Sequence, residues 1–75
     1  MKIGFIGLGN MATAIIGGLL RESTVLADGA AVTAADLIGS AKTEATRQAK
    51  ATQFGIAVTA DNREVAAAAD VLVLA

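Results

Sequence analysis

At 75 residues the chain makes one domain at most, and a chain of that size buries only about two thirds of the surface its unfolded form exposes. Apolar residues are 55% of the sequence, but 18 of the 75 are alanine and only Phe5 and Phe54 are aromatic, so the core must be small. A net charge of −1 with interspersed signs gives nucleic acid or an anionic membrane no basic stripe, and the lack of cysteine and histidine excludes disulfides, ordinary zinc sites and histidine acid–base chemistry. A reducing, cytoplasmic setting is the default expectation.

The chain opens with Lys2-Ile3-Gly4-Phe5-Ile6, an apolar run that suits a buried parallel strand over residues 2–6. Gly7-Leu8-Gly9-Asn10-Met11-Ala12 follows, which is Gly-x-Gly-x-x-Ala. Gly7 permits a tight turn, Gly9 removes a Cβ that would hold a pyrophosphate away from the backbone, and Ala12 takes the third position, which governs how closely helix approaches strand. The helix starting near Asn10 aims free N–H groups and the positive end of its dipole at that place. Residues Gly7 to Ala12 therefore read as a dinucleotide phosphate site, and the competing reading is a glycine turn that serves packing alone.

The first helix is expected over about residues 10–22, with Met11, Ile15 and Leu19 beside Ala12, Ile16 and Leu20 on one apolar stripe. Gly17 and Gly18 weaken it, which suggests a close contact with the sheet or a neighbouring domain. Asp28-Gly29 makes a turn, and residues 31–36 (Ala-Val-Thr-Ala-Ala-Asp) form the second strand, ending in Asp36 at the distance where a mononucleotide-binding βαβ unit carries its ribose-binding carboxylate. Ser40 caps a second helix over about residues 41–53, mostly polar, with Ala41, Ala45, Ala49 and Thr52 inward.

Phe54-Gly55 ends that helix, residues 56–59 supply a third strand, and Asp61 or Asn62 caps a third helix to about Ala69. Val71-Leu72-Val73-Leu74-Ala75 then reads as a central parallel strand. Strands and helices alternate strictly, so the fold class is α/β, a Rossmann-like parallel sheet in β-α-β-α-β-α-β order that stops after its fourth strand, the one placed beside the first. Residues 1–75 are expected to be an incomplete dinucleotide-binding domain.

The stretch Ile3 to Leu20 also has the outline of a signal peptide or membrane anchor. Five glycines, Asn10, Thr13 and a single lysine before it argue against either.

Phe5-Ile6-Gly7-Leu8-Gly9-Asn10-Met11-Ala12, with Ala14, Ile16 and Gly17-Gly18-Leu19 behind it, resembles the start of a pyrroline-5-carboxylate reductase. Gly55-Ile56, Asn62-Arg63-Glu64-Val65 and Ala69 to Ala75 match the later part of that family's first domain, up to the point where a Val-Lys-Pro would follow. The resemblance spans essentially the whole chain. It implies an oxidoreductase of proline biosynthesis that reduces 1-pyrroline-5-carboxylate to L-proline with NADP or NAD, its nicotinamide domain followed by a helical dimerisation and substrate domain absent from these residues.

Carried over by position, Gly7, Leu8, Gly9, Asn10 and Met11 would surround the pyrophosphate, Asn62 would contact the adenosine side unless it is only a helix cap, and Ala75 would begin the segment holding the nicotinamide ribose. The partners implied are the dinucleotide, an imino acid substrate in the longer family proteins, and a second copy once the dimerisation domain is present, with neither nucleic acid nor membrane. No catalytic or metal-ligating residue is identified, so the chain alone is expected not to turn over. Asp36 departs from the family, whose NADP-preferring members carry Ser or Asn there with a nearby Arg. A carboxylate suits NAD and repels a 2′-phosphate, unless Ser40 and Lys42 compensate. The alternatives are the corresponding domain of an F420-dependent or 3-hydroxyacid dehydrogenase-like reductase, and a non-catalytic nucleotide-binding module.

Overall fold

A computed structural model describes residues 1–21 and 31–74. Strand β1 runs Ile3–Ile6, helix α1 Asn10–Arg21, strand β2 Leu37–Ser40, helix α2 Glu44–Phe54, strand β3 Ala57–Thr59, helix α3 Asn62–Ala68 and strand β4 Val71–Leu74, with a short 3-10 turn at Ala34–Asp36 before β2. The four strands form one parallel sheet in the order β3-β2-β1-β4, as the alternation of elements predicts. The turn expected at Asp28-Gly29 and the terminal Ala75 lie outside the described residues.

Alternation along β1 assigns the two faces of the sheet. Ile3 and Phe5 point to one side, where they join Leu8, Ala12 and Ile16 from the glycine turn and α1, Leu37 from β2, and Val32 and Ile56 in a single buried cluster. Gly4 points to the other side. A Cβ there would stand 2.6 Å from Val65 Cγ1 and 2.7 Å from Ala69 Cβ, so α3 and the residue after it press directly on the β1 backbone. Helices α1 and α2 thus cover one face and α3 the other, the two-sided cover a parallel sheet needs.

Helix ends follow local chemistry. Thr43 caps α2, its hydroxyl accepting from the Thr46 N–H, and Gly55 closes that helix in the left-handed region at φ 71° with its N–H on the Ala51 carbonyl. Asp61 caps α3, accepting from the Arg63 N–H at 2.8 Å. Of the two residues expected to start that helix, Asp61 is the cap and Asn62 is its first helical residue.

Several expectations are corrected, among them the inner face of α2, where Ala45, Ala49 and Thr52 are exposed and Ala51 and Phe54 are partly buried instead. The second strand is not residues 31–36 but Leu37–Ser40, and α2 begins at Glu44 rather than near 41. The Asp36 carboxylate accepts from the Thr33 N–H at 2.8 Å and the Thr33 hydroxyl at 3.1 Å, winding the chain into a 3-10 turn just before the fully buried Leu37, and pairing with β1 places the strand at residues 37–40. Of the two contacts expected at Gly17 and Gly18, the one with the sheet is not made among the described residues, since a Cβ at Gly17 would find only Phe54 at 3.8 Å and one at Gly18 nothing within 4 Å.

Candidate functional site

The register of the sheet sets the site. Ile6, the last residue of β1, pairs with Ser40, the last of β2, and Ser40 with Thr59, the last of β3. The connections leaving these three strands therefore emerge side by side at the carboxyl edge, where open α/β sheets hold their ligands. A cleft of about 370 Å³ opens there, lined among others by Gly7, Ser40, Lys42 and Asn62.

Gly7 turns the chain out of β1 with φ 95°, a conformation that L side chains rarely adopt. Leu8 then dives into the core, 4% exposed, and packs over Gly39. Gly9, Asn10 and Met11 stand at the surface, and a Cβ built at Gly9 meets nothing within 4 Å. Ala12 is fully buried against the sheet, the close helix approach its place in the fingerprint predicts. The first helical hydrogen bond of α1 is Thr13 N–H to the Gly9 carbonyl at 2.9 Å, so the N–H groups ahead of it have no partner within the helix. An open glycine backbone in front of unpaired N–H groups is what a pyrophosphate requires, and these residues fit it.

Of the residues expected to surround a pyrophosphate, Gly9, Asn10 and Met11 lie open to it. The Leu8 side chain belongs to the core. The Gly7 N–H points across to β2 and donates to Ser40 Oγ at 3.3 Å. Ser40 is 1% exposed, and its hydroxyl donates onward to Asn62 Oδ1 at 2.5 Å. Asn62 is thus brought to the cleft, with the capping role left to Asp61.

Asp36 is not brought there. It precedes β2 and so lies at the opposite, amino edge of the sheet, where Lys2 Nζ donates to the Ala35 carbonyl at 2.8 Å. Hydrogen bonds from the Thr33 backbone and hydroxyl, with the positive N-terminus and Lys2 near, hold its carboxyl below the usual aspartate range. It is a local cap, not a ribose ligand. The carboxyl end of β2 carries Ser40, followed by Ala41 and Lys42, and Arg47 from α2 holds that connection by donating to the Ala41 and Lys42 carbonyls at 2.7 and 3.1 Å. Ser40 and Lys42, expected at the site only as compensation for Asp36, are the residues the strand boundary puts at the cleft. Leu37-Ile38 is bulkier than the alanines preceding it, but Val32-Thr33 is equally strand-prone, so this signal alone does not place the boundary.

Among the described residues no group of three His, Cys, Asp or Glu side chains is placed to hold a metal, and no helix is long and apolar enough to cross a membrane.

The family model described as NADP oxidoreductase, coenzyme F420-dependent, matches residues 2–75. The chain belongs to this family. The chain is also 42% identical over 73 residues to a pyrroline-5-carboxylate reductase of Vibrio alginolyticus, the match covering 97% of this chain and 24% of that protein. The resemblance carried by the opening and closing motifs is thus matched along nearly the whole sequence. The chain spans about a quarter of the length of that curated relative. Family and fold together make it a Rossmann-like nicotinamide-dinucleotide-binding part of an oxidoreductase.

Proposed function

We propose that this chain binds NADPH for a reductase that converts 1-pyrroline-5-carboxylate to L-proline. The observation that carries the cofactor part is the glycine turn at the end of β1 lying beside Ser40 and Lys42 in place of a carboxylate. The unpaired N–H groups of Gly9, Asn10 and Met11 hold the pyrophosphate, with the α1 dipole behind them. Asn62 faces the adenosine side, and the family resemblance assigns Ala75 to the segment that holds the nicotinamide ribose. With Asp36 at the far edge of the sheet, the end of β2 carries Ser40, Ala41 and the exposed Lys42, which offers a 2′-phosphate a cation.

Bound in this way, a reduced nicotinamide would supply the hydride for the imine carbon of the substrate, whose ring nitrogen takes up a proton. The chain's own contribution is to hold and orient the dinucleotide. The imino acid pocket and the subunit contacts are assigned to the part of the curated relative outside the matched quarter. The likeness to a pyrroline-5-carboxylate reductase supports the substrate, and the family's description supports a second reading, transfer between NADP and a deazaflavin.

Calorimetric titration of the chain with NADPH and NADH tests the cofactor assignment. Saturable binding with NADPH the tighter ligand is expected. A chain that melts cooperatively and binds neither nucleotide sinks it.

A further inference from the structure

Ser40 is the only polar residue among the buried side chains described, and its hydroxyl is used on both sides. It accepts from the Gly7 N–H at 3.3 Å and donates to Asn62 Oδ1 at 2.5 Å. A serine hydroxyl has one proton, and since the Gly7 N–H occupies an acceptor site on the oxygen, that proton is free to go to an acceptor. That acceptor is the Asn62 amide oxygen, so the amide keeps its NH2 group for another partner. Without Ser40 the amide of this exposed residue has no partner to choose between its two orientations, one presenting donors to the cleft and the other an acceptor.

We infer that Ser40 is a positioning residue for the dinucleotide: buried in the wall of the cleft, it locks the glycine turn of β1 to the first residue of α3 and orients the Asn62 amide as a donor toward ribose or phosphate oxygens. The inference rests on the nucleotide-binding reading above. It also removes the Gly7 N–H from the set of phosphate donors, because Ser40 holds it.

The test is calorimetric titration of NADPH into the wild-type chain, S40A, S40T, N62A and the S40A/N62A double variant, each checked for a cooperative melt. S40A and N62A are each expected to weaken binding about three- to tenfold, the size of one neutral hydrogen bond. The double variant should bind no worse than the weaker single, and S40T, which restores the hydroxyl, within about twofold of wild type. Affinity unchanged in S40A, or losses that multiply in the double variant, overturn the inference.

Should S40A not fold, S40C fills the buried space and offers only a weak S–H donor, and the same loss without further loss on N62A is expected. A folded wild-type chain that binds no dinucleotide rejects the nucleotide reading instead. The Ser40 to Asn62 link is then decided in the unliganded chain by the Asn62 side-chain amide resonances, which move in S40A if the bond exists and stay in place if it does not.

Discussion

Leu8 lies over Gly39: a Cβ at residue 39 would stand 2.5 Å from Leu8 Cδ2 and 2.9 Å from its Cγ. The second letter of the glycine fingerprint is thereby a core plug, and the glycine of β2 exists to receive it. Because Gly7 and Gly9 flank Leu8, the seat of this one side chain sets the height of the turn above the sheet.

Gly39→Ala is accordingly expected to displace Leu8 at a cost of about 1–3 kcal/mol, the usual penalty of overpacking a core. Urea denaturation should show a lower midpoint at unchanged slope. NADPH binding should weaken as well, since the turn moves with its plug.

Gly9→Asp separates fold from site. The added Cβ meets no atom within 4 Å, so the melting temperature should stay within a few degrees of wild type. The carboxylate occupies the place of the pyrophosphate and opposes its charge, and calorimetry should detect no NADPH binding. A variant that still binds places the phosphates elsewhere.

Nucleotide choice is expected to follow Lys42 and not Asp36. Lys42→Glu puts a negative charge beside Ser40 and should lower NADPH affinity at least tenfold relative to NADH, roughly 1.4 kcal/mol of discrimination. Asp36→Asn, at the far edge of the sheet, should leave the ratio of the two affinities unchanged.

Acid should destabilise the chain in a narrow range. The Asp36 and Asp61 carboxyls are both held below the ordinary aspartate range, Asp36 by hydrogen bonds from Thr33 and Asp61 by the Arg63 side chain and backbone N–H. A lowered folded-state pKa means that the unfolded chain binds protons first as pH falls. Their contribution is complete above the unfolded pKa and disappears as pH drops through the lower folded value. Thermal melts should therefore be flat with respect to both groups from about pH 6 down to pH 5 and decline below about pH 4, and Asp36→Asn should flatten part of that decline.

The left-handed Gly55 closes α2 with φ 71°, so Gly55→Ala should cost about 1 kcal/mol by forcing a side chain into that conformation, although the nearest atom to the new Cβ is 3.9 Å away. In so small a domain that loss is visible as a lower melting temperature.

The sequence by itself determined the order of elements, the sheet topology and the position of the glycine turn. Each of these follows from short-range physics: an apolar run ending in Gly7, a cap at Asp61 or Asn62, a glycine at 55 closing the second helix, and the alternation of strand and helix that makes a parallel sheet. The motifs at both ends were enough to bring the resemblance to pyrroline-5-carboxylate reductases into view.

Only the tertiary structure decided which residue ends β2. Val32 and Thr33 look as strand-like as Leu37 and Ile38 along the chain, and a glycine at 39 argues locally against a strand. Pairing with β1 and the need to seat Leu8 settle the matter, because they depend on atoms about thirty residues away in sequence. That shift carries Asp36 to one edge of the sheet and Ser40 to the other. It turns an expected ribose ligand into the cap of a 3-10 turn and an expected helix cap into the buried hydroxyl between Gly7 and Asn62.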